Sequence, residues 1–263
     1  MSPTDAILAG AAGAAAFLAA LWVVQLRTRD AGISDFGWSA SLGAMAVFYA
    51  LALDRGDPAR RALVAALAGG WSARLSWHLL VDRVLPAGED GRWAALRERW
   101  GARAPALFLP VFLLQALLAV VLSGAFLLVM ALPEGPLGAR DALAALIVIG
   151  SVAGEALADR QLARFRAEPA NRGKVCREGL WAWSRHPNYF FEWTFWLAWP
   201  ALTLGLPWGW TALYAPALML VFIVKLSGIP PTERQALRSR GEAYREYQRT
   251  TSAFFPWPPE SRS

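Results

Sequence analysis

With 263 residues, 56% of them hydrophobic, a mean hydropathy of +0.33 and only 17% charged, the chain carries more apolar surface than a soluble domain of its size can bury. The single cysteine, Cys176, excludes an internal disulfide and leaves no cysteine metal site, and no metal ligand set is expected. The formal charge of +6 sits in loops between apolar segments, which is the layout of a membrane topology signal, so no nucleic-acid partner is expected.

The first apolar run spans about 6–26. Met1 to Asp5 lack the basic stretch of a signal peptide and no cleavage site stands out before Gln25, so the run is read as a helix of the protein. Further runs near 33–53, 62–80, 106–132, 142–158, 189–206 and 210–226 bring the total to seven. The expected fold is all-α: a polytopic bundle of seven transmembrane helices forming one domain over 1–263, most simply a monomer. The runs at 142–158, 189–206 and 210–226 are short for a span, which fits irregular or tilted helices.

Seven spans also sort the charges. One face receives Arg27 and Arg29; Arg83, Arg92, Arg97, Arg99 and Arg103; Arg160, Arg164, Arg166, Arg172, Lys174, Arg177 and Arg185; and Lys225, Arg234, Arg238, Arg240, Arg245, Arg249 and Arg262. Only Arg55, Arg60, Arg61 and Arg140 fall opposite, so 21 stand against 4, with Arg74 inside a span. The positive-inside rule then puts the N-terminus outside and the C-terminus in the cytoplasm. The long loops, 81–105, 160–187 and the tail from 227, share the cytoplasmic face. Without repeat symmetry or a polar path to both faces, a transporter is not favoured.

Polar residues within spans are costly and need partners or water. Arg74, His78 and Asp82 stack at i, i+4, i+8 on the third helix; Glu155 and Asp159 pair on the fifth, Asn188 and Glu192 on the sixth, and Asp35 with Trp38 opens the second. Two readings stay open: structural ion pairs, for instance Arg74 with Asp35 or Asp159 with a loop arginine, or one shared polar cavity at the cytoplasmic ends. The loop Arg160 to Arg185 is rich in guanidinium groups, which suit a phosphate-bearing ligand or anionic lipid headgroups. Asn188, behind Pro187, stands where a helix start offers free N–H groups to an anion. Gly88-Glu89-Asp90-Gly91-Arg92-Trp93 reads as an amphipathic surface piece, either a cap on a cofactor mouth or an interface anchor. Trp196, Trp199, Trp208 and Trp210 are read as core or belt residues. No glycine-rich nucleotide loop and no His-Glu-x-x-His motif occurs.

Glu155-Ala-Leu-Ala-Asp159 with Leu162, Phe165 and Arg166, then Asn171-Arg172-Gly173, Gly179-Leu180-Trp181 and Ser184-Arg185-His186-Pro187-Asn188-Tyr189 with Glu192, resembles the steroid 5-alpha-reductase-like superfamily, specifically its poorly characterised bacterial branch. The tail Gly228-Ile229-Pro230 and Tyr244 through Trp257 fits the same branch. The resemblance implies a multi-pass protein of the bacterial inner membrane that uses NADPH to transfer hydride to an activated carbon–carbon double bond of a steroid-like or other lipophilic substrate. It places the cofactor on Asp159, Arg166, Asn188, Tyr189 and Glu192, with Arg185, His186, Tyr247 and Arg249 as neighbours and Asn171 and Arg172 besides. Asp159 or Glu192 would suit ribose hydroxyls or an amide, and Arg166 and Arg185 the phosphates.

In the family, a Gln-Glu pair on the second helix and a Tyr on the third polarise the substrate carbonyl. Here Asp35, Arg74 and His78 stand in their place as the expected catalytic residues, with Asp35 orienting or protonating His78 and Arg74 binding the oxyanion. A purely structural ion network is the other reading of these three. The rival resemblance is to isoprenylcysteine carboxyl methyltransferases, which share an Arg-His-Pro-x-Tyr motif. Under it Glu233, Tyr244 and Tyr247 would serve S-adenosylmethionine.

Overall fold

The computed structural model describes residues 1–85, 88–132 and 135–259, without the side chain of Arg83. Arg262, counted above on the cytoplasmic face, lies outside the described residues. Every regular element among the described residues is helical, and the chain divides into two compact units, Met1–Asp141 and Ala142–Ser263.

The first unit holds α1 (Pro3–Thr28), α2 (Ile33–Ala52), α3 (Pro58–Leu79), α4 (Gly91–Trp100) and α5 (Ala104–Met130). Local sequence sets their starts. Ser2 accepts the Asp5 N–H at 3.2 Å ahead of Pro3, and Asp57 accepts the Arg60 N–H at 2.9 Å ahead of Pro58. Each thereby satisfies a donor that the first helical turn leaves open, and proline loses nothing there because its missing N–H had no partner to make. Asp90 caps α4 in the same way, through the Arg92 N–H at 2.9 Å.

Small residues bring α2 and α3 together. Ser72 Oγ donates to the Ser39 carbonyl at 2.7 Å and Ser76 Oγ to Ser39 Oγ at 3.1 Å, while a Cβ at Gly43 would stand 2.3 Å from Ser72 Oγ. Such a seam gains close backbone approach and shared hydroxyl bonds, the usual means of joining helices where lipid offers no hydrophobic drive. Tyr49 of α2 reaches Ser123 of α5 at 3.0 Å, and Arg60 forms a buried pair with Asp141 at 2.8 Å.

The second unit begins within α6 (Ala139–Ala167) and continues through α7 (Pro187–Trp196), α8 (Ala198–Leu202), α9 (Tyr214–Val221), α10 (Ile229–Arg240) and α11 (Glu242–Thr250). α9 opens from a 3₁₀ turn at Gly209–Leu213 and runs into a π turn at Phe222–Leu226. α6 outlasts the expected 142–158. Its continuation Arg160-Gln-Leu-Ala-Arg-Phe-Arg-Ala is made largely of good helix formers, and only the Glu168-Pro169 step ends it. Asp159 therefore sits inside the helix and not at its close, and Arg160, Arg164 and Arg166 are helical, not loop, residues.

Among the described residues, four helical runs are long and apolar enough to cross a membrane: Pro3–Thr28, Gly91–Met130, Ala139–Ala167 and Gly209–Arg240. In the second of these the apolar stretch is α5, and in the fourth it ends at Leu226, since α10 carries Glu233, Arg234, Arg238 and Arg240. The other expected spans differ for physical reasons. α2 and α3 are diluted by the serines and glycines of their shared seam and by Asp35 and Arg74, and 189–206 is split into the short α7 and α8. Large apolar side chains point outward along the long helices, among them Leu8, Leu51, Leu114, Leu117, Leu146 and Ile149. Exposure of this kind is a liability in water and the normal dress of a lipid-facing surface.

Candidate functional site

In the second unit the polar residues gather where α7 begins. Arg185 and His186 are almost fully buried just before Pro187, which starts the helix. The Arg185 guanidinium donates from Nε to Glu233 Oε1 at 2.7 Å and from Nη1 to the Gln248 carbonyl at 3.1 Å and the Thr251 carbonyl. Those two carbonyls belong to the last turn of α11, where the helix dipole is negative and a cation is welcome. His186 Nε2 faces the same Glu233 oxygen at 3.4 Å, the Tyr244 hydroxyl donates to that oxygen at 3.4 Å, and Gln248 donates to Oε2 at 2.8 Å. The His186 ring lies flat on that of Tyr189, 5.3 Å between centroids, and the Tyr189 hydroxyl meets Thr232 Oγ1 at 3.2 Å.

A strap closes over this group. Residues 247–257 bond along 181–185: the Tyr247 hydroxyl donates to the carbonyls of Trp181 and Ser184, the Arg185 N–H to Ser252 O, Ser184 Oγ to Phe254 O and the Trp257 N–H to Trp183 O. Backbone groups that would otherwise be buried unmade are thus paired. Two of the expected cofactor contacts have partners within the chain. Arg185 spends Nε and Nη1 on Glu233 and two carbonyls. Tyr247, 2% exposed, is a core residue whose hydroxyl pins the motif loop.

Charge at the cluster follows from burial and pairing. Burial alone pushes the Glu233 carboxyl up, but hydrogen bonds from His186 and Arg185, the Arg185 charge and the Gln248 bond outweigh it and bring the pKa down to about 2. Burial pushes His186 below its ordinary 6.5, only partly offset by Glu233. Burial pushes Tyr244 well up, with the Glu233 charge adding to it. The signs agree. Stability from Glu233 is present above 4.5 and fades as pH falls from there toward 2, while His186 resists the proton that the unfolded chain takes up below 6.5. The apparent Tm in detergent is therefore expected to hold above neutrality and drop steadily from about pH 6 to about pH 4. Thermal melts of the parent and of Glu233→Gln from about pH 7 to about pH 3 check this, the variant losing the part of the fall below 4.5 that belongs to Glu233 while keeping the His186 part above it.

Between the start of α7 and α6 lies a second group. Asn188 Nδ2 donates to Asp159 Oδ1 at 3.4 Å, and Asn188 Oδ1 accepts the Tyr189 N–H at 3.0 Å. Gly154 lets the ring of Phe191 pack directly on α6; a Cβ there would lie 2.4 Å from it. Those two contacts set α6 and α7 antiparallel. Glu155 and Glu192, each one turn from the Asp159–Asn188 contact, are both buried, and Trp196 Nε1 donates to Glu192 at 3.2 Å. Asn171 bonds the Phe165 carbonyl at 3.1 Å and closes the end of α6. Arg166 and Arg172 are exposed, and Arg249 is exposed and pairs with Glu242 at 3.5 Å. Cys176 is buried, and burial pushes its thiol up.

The first unit holds the expected catalytic residues, and their pairings differ from expectation. Asp35 takes Arg92 Nη2 at 2.8 Å and Gln115 Nε2 at 3.4 Å, in place of Arg74 or His78. His78 Nδ1 lies 2.7 Å from Asp82 Oδ2, the i, i+4 partner on its own helix. The reason is α4, which sequence reading left as loop: its Arg92 and Arg97 reach back to the α1–α2 turn. Arg97 grips Glu89 at 2.7 Å, and Glu89 accepts the Ala31 N–H at 2.8 Å. Trp93 is buried beside Phe108, which removes it as an interface anchor. Arg74 and His78 stay half-buried one turn apart on α3.

Glu233 is the residue that sequence reading missed for the reductase, having entered only under the methyltransferase reading. Its signal was present in Pro230-Pro231-Thr232-Glu233, a carboxylate in the second turn of a helix with no basic residue three or four positions away to pair with.

These elements define the class: an all-helical chain with the make-up of a membrane protein. A family model described as a protein of unknown function, DUF1295, matches residues 21–251, and the chain belongs to that family. Neither a curated protein nor a solved structure matches it.

Proposed function

We propose that the protein is an integral membrane reductase that uses NADPH to reduce an activated carbon–carbon double bond of a steroid-like or other lipophilic substrate, as in the steroid 5-alpha-reductase-like superfamily. The observation that carries this reading is the meeting of Asp159 and Asn188 across α6 and α7, with Glu155 and Glu192 buried a turn away. Carboxylate and amide groups held side by side suit the hydroxyls and amide of a nucleotide, and the exposed guanidinium groups of Arg166 and Arg172 suit its phosphates. The donor set thus fits the cofactor, whose part when bound is to supply hydride. Asp159, Asn188 and Tyr189 would hold it, and Arg185 would act by positioning the His186 segment. For the substrate carbonyl, Arg74 and His78 are the donors of this chain, His78 being held by Asp82 in place of Asp35. In the same reading all seven apolar segments lie in the bacterial inner membrane, N-terminus outside.

A specific observation favours a second reading. Glu233, the residue that the methyltransferase resemblance requires, is the hub of the Arg185 and His186 pair. One experiment separates the two: thermal shift of the detergent-purified protein with NADPH, NADP and S-adenosylmethionine, since a ligand of the native state raises stability by mass action. We expect NADPH to raise the apparent Tm of the parent, and Asn188→Ala to lose most of that shift while its unliganded Tm changes little. A response to S-adenosylmethionine alone would establish the second reading in place of the first.

A further inference from the structure

The surface built from the Arg172–Arg177 loop and α10 carries charge that the second unit does not neutralise. Residues 160–185 and 227–259 hold 12 Lys and Arg against 5 Glu, and three of these Glu are already engaged. Glu233 is taken by Arg185, Glu242 by Arg245 and Arg249, and Glu246 by Arg177 at 3.8 Å. Arg172, Lys174, Arg234 and Arg238 are all exposed, and none has an ion pair among the described residues.

The four belong to one patch. Arg240 Nε donates to the Lys174 carbonyl at 3.0 Å, which lays the loop along the end of α10. Arg177 Nη2 bonds the Ala243 carbonyl at 3.0 Å just beyond, and Val175 packs on Ala236 and Leu237. Arg234 and Arg238 stand at i, i+4 on the outer side of α10, opposite the buried Ile229 and Ala236. Like charges at that spacing weaken a helix in water, so the arrangement is favourable only beside an external anion.

Position and neighbours identify that anion. Only Ser227 and Gly228 separate the apolar run ending at Leu226 from α10, so the patch follows directly on a helical run apolar enough to span a membrane. In the same unit Trp183, Phe255 and Trp257 are exposed, the last two residues of this set lying near Trp183 through the Trp257 N–H bond to its carbonyl at 2.9 Å. Aromatic rings left in the open beside a basic juxtamembrane segment are the dress of a headgroup layer.

We infer that the outer face of α10, together with Arg172 and Lys174, is a docking surface for the anionic phospholipid headgroups of the bilayer in which the protein sits. Each basic side chain there adds attraction to an acidic leaflet, and the effect decays within a Debye length. The surface shares Arg172 with the phosphate side of the proposed nucleotide reading but not Asp159 or Asn188, so Arg172 is left unchanged in the test and the inference does not depend on that reading.

The test compares the parent with the triple variant Lys174→Gln, Arg234→Gln, Arg238→Gln, none of which is placed in the nucleotide site. Native mass spectrometry from detergent would measure retention of phosphatidylglycerol against phosphatidylcholine, and melts in nanodiscs with and without phosphatidylglycerol would measure the stability gain. The parent should prefer phosphatidylglycerol and melt higher with it. The triple variant should lose at least about tenfold of that preference while melting like the parent in phosphatidylcholine alone. An unchanged preference in the triple variant overturns the inference. So does displacement of phosphatidylglycerol by inorganic pyrophosphate at matched concentration, which would mark a site for a soluble phosphate compound.

Discussion

Replacing Glu233 with Ala is expected to destabilise the second unit by about 3 kcal/mol, because it leaves the Arg185 guanidinium buried without its carboxylate. Arg185 is 9% exposed and Glu233 16%, so water cannot replace the lost partner at full strength. The loss should spread beyond the pair. Gln248, Tyr244 and His186 all direct polar atoms at Glu233, and each needs a new partner once it is gone. Arg185→Ala should cost at least as much, since it also strips the Gln248 and Thr251 carbonyls of their donor. The double variant should be no worse than Arg185→Ala alone, as the second change removes a charge that the first has already orphaned. Thermal or denaturant unfolding of the four proteins in one detergent measures the coupling. Simply additive losses would mean that the pair is screened and carries little.

An effect of similar size is expected in the first unit from Gly56→Ala. Gly56 turns the chain between α2 and α3 with φ of +78°, a region that residues bearing a Cβ enter only with strain. A Cβ built there would lie 1.8 Å from the Met130 carbonyl oxygen at the end of α5. Because the obstacle is backbone, no rotamer change relieves it. Either α5 retreats or the turn opens, and both disturb the place where α2, α3 and α5 are joined. A cost above about 3 kcal/mol, or failure to accumulate in the membrane, is expected. Gly70→Ala is the control. It lies on α3 with open space around it, and should be neutral or slightly stabilising through better helix propensity. If the two variants melt alike, the close approach of α5 to the turn is wrong.

The helical character of the apolar segments was legible in the sequence, because apolar runs are local signals, whereas α4, the end of α6, α10 and α11 were read as loop. Asp57-Pro58 starts α3 and Glu168-Pro169 ends α6 without any help from distant residues. The i, i+4 spacing of Glu155 with Asp159 and of Asn188 with Glu192 placed each pair on one helical face, and packing of α6 on α7 brought Asp159 to Asn188. His78 with Asp82 is the same case within one helix.

Arginine partners were not legible. A guanidinium on a long, flexible stem pairs with whichever carboxylate packing brings within reach, and sequence separation says nothing of that. Asp35 was expected with Arg74 or His78 and found Arg92, which is 57 positions away and delivered by an amphipathic helix too short and too polar to stand out. Arg185 looked like a phosphate ligand because its motif is rich in polar groups. Tertiary structure spent it on Glu233, 48 positions on, and on the end of α11.

By itself, then, the sequence determined what depends on near neighbours: helices, their caps, the apolar lengths that mark a membrane protein, and the faces on which polar residues line up. Only the tertiary structure decided which charges are consumed in holding segments together and which remain for a ligand. The physical reason is range. Hydrogen-bonded turns and hydrophobic runs close over a few residues, whereas the neutralisation of a buried charge is settled by groups that meet only after the chain has folded.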